Sequence, residues 1–76
     1  MTKPILICTS GRQAYELRRH LFLNQTEFWA KIEISQSGGS RYEKGREMPE
    51  QVLYLLHMAY GTNEQATEML EWLRNR

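Results

Sequence analysis

A chain of 76 residues, 41% apolar and with a net charge of +1, makes one small domain with a core of its own rather than a disordered tail. Its single cysteine, Cys8, excludes an internal disulfide and a cysteine-based zinc site, and no apolar run nears the roughly 18 residues of a membrane span, so a soluble cytoplasmic chain is expected. The near-neutral total conceals a division: residues 1–46 carry eight Lys/Arg against four glutamates, while residues 47–76 carry five glutamates against Arg74 and Arg76, which suits one anion-facing side and one protein-facing side.

Residues 1–9 come first, as an N-terminal arm. Ile5, Leu6 and Ile7 form a continuous apolar run that fits an arm or a short strand. From residue 10 to residue 76 the chain is one domain punctuated by helix starts. Ser10 with Gln13, Asn24 with Glu27 and Thr62 with Gln65 have capping-box spacing; Ser35 suits another cap, and Pro49 a first helical turn. The helices predicted are 11–22, 25–32, 36–43, 49–59 and 63–75, with Gly45 and Gly61 placed to close helices in the left-handed conformation.

Apolar residues recur at helical spacing in four of them: Ala14, Leu17 and Leu21; Phe28 and Ile32; Val52, Leu55, Leu56 and Ala59; Ala66, Met69, Leu70 and Leu73. Five short helices with tight turns imply a compact all-α domain, with no β-pairing required. His20 and His57 are not spaced as metal ligands, and no phosphate-binding loop or nucleophile signature is present, so neither an enzyme nor a cofactor is expected.

The second and third helices are joined by the short turn "EIS", with Ile34 between them, which is a helix-turn-helix layout. The run "LNQTEFWAKIEISQSGGSRYEKGREMP" resembles the xenobiotic-response-element family of helix-turn-helix regulators, which includes lambda repressor and the Cro proteins. Leu23, Gln25, Phe28, Ile32, Ile34, Ser35, Gln36, Ser40, Glu43, Gly45 and Pro49 fall in register with that family's pattern without a gap. The resemblance covers residues 11–61 and implies a lambda-repressor-like fold whose third helix, 36–43, enters the major groove of double-stranded DNA.

It also implies roles. Gln36 and Ser37 open the recognition helix, where glutamine matches the adenine edge and serine pairs with several bases. Gln25 binds a phosphate and braces Gln36; Arg41 reaches a guanine or a phosphate; Ser40 bonds a base edge or the backbone. Lys31, Lys44 and Arg46 supply phosphate contacts, and Asn24 caps the second helix while facing a phosphate. Arg18 and Glu43 hold positions that pair the first and third helices. Three residues depart from the family's pattern: Trp29 where it is small, Gly39 where it is branched, and Glu33 where it favours glycine. The first two are expected to be neighbours, the indole filling the space left at Gly39. Gly38 is either a point of close backbone approach to DNA or a tolerated weak helix former.

A domain with few phosphate contacts binds DNA weakly, so a homodimer on two half-sites is expected. Trp72 on the last helix is a candidate interface residue or a cover for the core, and the arm is another candidate. The function expected is a sequence-specific transcriptional regulator, most simply a small repressor acting by occupancy. The alternatives are an antitoxin-like protein-interaction module, with a partner such as a toxin, and a helix-turn-helix domain that has lost DNA binding.

Overall fold

The computed structural model describes all 76 residues and contains five α-helices and no strand. They are α1 (Gly11–His20), α2 (Gln25–Ala30), α3 (Gln36–Glu43), α4 (Glu50–Tyr60) and α5 (Asn63–Arg74). The all-α expectation holds.

Helix starts lie where a side chain satisfies an otherwise orphaned N–H. Ser10, Asn24, Ser35 and Thr62 accept from the backbone N–H three residues on, at 3.2, 2.8, 3.1 and 3.1 Å. The capping box is reciprocal at α2 and α5. At α1 it is not, because Gln13 Oε1 accepts from the Thr9 N–H at 2.7 Å. Pro49 is the N-cap of α4 and precedes its first turn.

The stops differ more from expectation. α1 and α2 each end two residues early, and the chain then makes the same hydrogen-bonded stop that follows α3. Leu23, Ile34 and Arg46 donate their N–H groups to the carbonyls of Arg18, Trp29 and Arg41, at 3.2, 3.0 and 3.0 Å. Such a bond, spanning six residues, needs a left-handed residue just before the donor. Those residues are Phe22 (φ 58°), Glu33 (φ 62°) and Gly45 (φ 114°), so only one of the three is glycine. Gly61, expected to be left-handed, is extended at φ −77° and ψ 177°. It is glycine for space instead, since a Cβ there would lie 2.5 Å from the His57 carbonyl oxygen.

Glu33 thus takes the conformation for which glycine is suited. Left-handed geometry costs an L-residue about 1–2 kcal/mol, while glycine loses about 0.5–1 kcal/mol more backbone entropy on folding. Glu33→Gly is therefore expected to stabilise the domain by up to about 1 kcal/mol in urea melts. A lower midpoint would show that this carboxylate matters to the turn.

The core gathers Phe28 and Trp29 of α2, and Ile32 of the turn that follows it, against Ala14 of α1, Val52 and Leu56 of α4, with Cys8 and Met48 closing it. Phe28 stacks on Tyr60, centroids 4.5 Å apart, and the Tyr60 hydroxyl donates to the Phe28 carbonyl at 2.6 Å. Burial pushes the Tyr60 phenol and the Cys8 thiol up, which leaves Cys8 a protonated small hydrophobe. The first nine residues form no strand but are tied down: Pro4 and Cys8 are buried, and the Ile7 N–H donates to Nδ1 of buried His57 at 3.0 Å.

Leu21, Leu55 and Leu70, expected on the inner stripes, are exposed. Trp72 is half-buried, edge-on to Tyr54 with centroids 6.1 Å apart, and the Lys3 and Arg76 side chains lie over its ring. It closes the seam between α4 and α5. No helix is long and apolar enough to cross a membrane.

Candidate nucleic-acid interface

Helix α3 buries Gly39 and leaves Gln36, Ser37 and Arg41 exposed, so its polar leading end is open. What holds that end begins at its other terminus. Glu43 accepts from Arg18 Nε at 2.9 Å and Nη2 at 2.8 Å, from Trp29 Nε1 at 2.7 Å and from Gln25 Nε2 at 3.1 Å. Arg18 spends a further N–H on the Leu23 carbonyl at 3.1 Å. Burial alone would push the Glu43 carboxyl up. The hydrogen bonds from Arg18, Trp29 and Gln25 outweigh it and hold the group below the ordinary carboxylate range.

This network fixes the amide of Gln25. A carboxylate only accepts, so Gln25 turns its NH₂ to Glu43 and its carbonyl oxygen to Gln36, whose Nε2 donates to it at 2.9 Å. Gln36 is left with its own carbonyl oxygen and one N–H free, facing solvent. The bracing of Gln36 by Gln25 is therefore present in the structure, and it runs on to Glu43. Both polar ends of Gln25 are engaged within the protein.

Asn24 is exposed; its Oδ1 caps α2 and its amide NH₂ is free. Ser40 is half-buried. Gly38 is half-buried too, and a Cβ there would lie 3.3 Å from Ile34 Cγ2 and from Ser35 Oγ. The equivalent third positions of α2 and α5 carry Glu27 and Gln65, so capping geometry itself does not require glycine. At the far end of α3, the Gly45 stop keeps exposed Arg41, Lys44 and Arg46 together, and none of the three forms an ion pair. Lys31 stands apart. It follows the opposite end of α2 from Asn24 and Gln25, with its ammonium 5.1 Å from the centre of the Tyr60 ring.

Two contributors have no local sequence signal. Arg12 lines a cleft with Arg46, because the start of α1 lies against the end of α3: a Cβ on Gly11 would overlap the Tyr42 carbonyl. The Trp29 indole N–H bonding Glu43 likewise depends on how α2 crosses α3. Both arise from tertiary packing and have no spacing rule in the chain.

Two short helices locked at a tight turn, the second presenting a braced polar end and unpaired cations, define a helix-turn-helix domain. A family model described as the RsaL-like HTH domain matches residues 15–59, more than half the chain, and the protein belongs to that family. No curated protein and no solved structure matches the chain. Membership of a helix-turn-helix family points to a DNA partner and to regulation of transcription.

Proposed function

We propose that this chain is a sequence-specific, double-stranded-DNA-binding repressor that works in the cytoplasm by occupying its operator. In this reading α3 lies in the major groove, as in the xenobiotic-response-element regulators its sequence resembles. The observation that carries the reading is the braced Gln36 side chain. Its free carbonyl oxygen and free N–H are the complement of the N6 donor and N7 acceptor of adenine. Ser37, Ser40 and Arg41 reach neighbouring base edges, and Gly38 lets the backbone come close to them. Asn24, the backbone N–H of Gln25, Lys44, Arg46 and Arg12 hold phosphates; Lys31 lies at the margin. Two copies bind half-sites about 34–36 Å apart, one helical turn.

The test is selection from a random duplex pool followed by salt titration. One enriched, two-fold symmetric motif and a steep inverse salt dependence are expected. Gln36→Ala should weaken the selected site by roughly 10- to 100-fold while leaving random duplex binding unchanged. Arg46→Ala should weaken both and lower the salt slope by about one. A pool that yields no motif would overturn the proposal.

A further inference from the structure

Phe22 breaks two rules at once. It is 94% exposed, and it occupies a left-handed position at φ 58°, where a bulky L-residue is strained. The equivalent stop after α3 uses Gly45. The fold gains little from the ring, which pairs with no other aromatic side chain. A strained, open aromatic is a mark of a site that acts on something outside the chain.

Its surroundings indicate what. Phe22 stands two residues before Asn24, the cap of α2, and three before Gln25, which holds Gln36. It shares a shallow cleft with Tyr15, Glu16, Arg19 and His20. Arg19, its guanidinium hydrogen-bonded at 2.9 Å to the Tyr15 hydroxyl, remains exposed and without an ion pair. An apolar ring between a cation on one side and a capped helix start on the other complements a strand in which sugar alternates with phosphate. We infer that Phe22 packs on a deoxyribose of the strand flanking the major groove, with Arg19 on the adjoining phosphate. The inference rests on the DNA-binding reading and adds a flank contact outside the recognition helix.

The test compares wild type, Phe22→Gly, Phe22→Asn and Arg19→Ala on the selected duplex, with thermal melts and sedimentation at the assay concentration. Glycine and asparagine both accept the left-handed turn, so melting temperatures should hold or rise. Affinity should fall about tenfold in both Phe22 variants with the salt slope unchanged, because an apolar contact releases no counterions. Arg19→Ala should lower the slope by about one. An unchanged dissociation constant in both Phe22 variants would overturn the inference while leaving the regulator reading intact. A loss of affinity accompanied by a lower melting temperature or by loss of self-association would also overturn it, by making the ring structural or a contact between copies. A wild-type chain that binds no duplex would remove both readings.

Discussion

Arg18→Ala is expected to destabilise the domain by about 3–5 kcal/mol, the cost of leaving a buried charge without its partner. The Glu43 side chain is 5% exposed and that of Arg18 12%, so solvent screening rescues little of the loss. For a chain of 76 residues, total stability is on the order of 4–11 kcal/mol, so the loss removes roughly a quarter of it or more. Urea titration followed by circular dichroism measures this. A midpoint within experimental error of wild type would show that the pair contributes nothing net.

The same pair sets the acid limit. The Glu43 carboxyl is held low in the folded state, so the unfolded chain takes up its proton first as pH falls. The stabilisation is complete above the ordinary glutamate value of about 4.3 and disappears as pH drops through the lower folded value. Glu43→Gln should start less stable at neutral pH, since Arg18 loses its counter-charge, and should lose less further stability below pH of about 4.3. A wild-type acid transition identical in shape to that of the variant would assign the acid sensitivity to other carboxylates.

Helix starts were legible in the chain because caps are local. Ser10, Asn24, Ser35 and Thr62 act on N–H groups three residues away, and all four do so. Helix ends were less legible because the expected signal was glycine, whereas Phe22 and Glu33 fill two of the left-handed stops. The inner stripes were readable at their centres and misleading at their edges, where helical spacing leaves Leu21, Leu55 and Leu70 exposed in a domain too small to cover them. Of the candidate interface, the order of Gln25, Gln36 and Glu43 came from the family pattern. The direction of the hydrogen-bond chain through them, and the approach of Arg12 to Arg46, come from how α1, α2 and α3 cross.

Gly39→Ile is expected to be the most damaging change in α3, although alanine or isoleucine forms helix better than glycine by several tenths to about 1 kcal/mol. A Cβ at residue 39 would sit 2.2 Å from Trp29 Cδ1 and 2.3 Å from Cγ. The indole cannot give way, because it is fully buried, edge-on to Phe28 with centroids 5.1 Å apart, and tethered to Glu43 through its N–H at 2.7 Å. Moving the ring would therefore break the carboxylate network as well as the packing, and a loss of at least about 3 kcal/mol follows, at or beyond the upper end for overpacking alone. Trp29→Ala alone should also cost about 3–5 kcal/mol, by opening a cavity and leaving Glu43 one donor short. Combined, the two changes restore one large and one small side chain at the crossing, so the double variant should be more stable than the sum of the single losses by about 1–3 kcal/mol. A double-mutant cycle in urea measures that surplus directly. Strict additivity would mean that Trp29 and Gly39 do not compensate each other's volume, and that the glycine of this short helix answers to some demand other than the ring beside it.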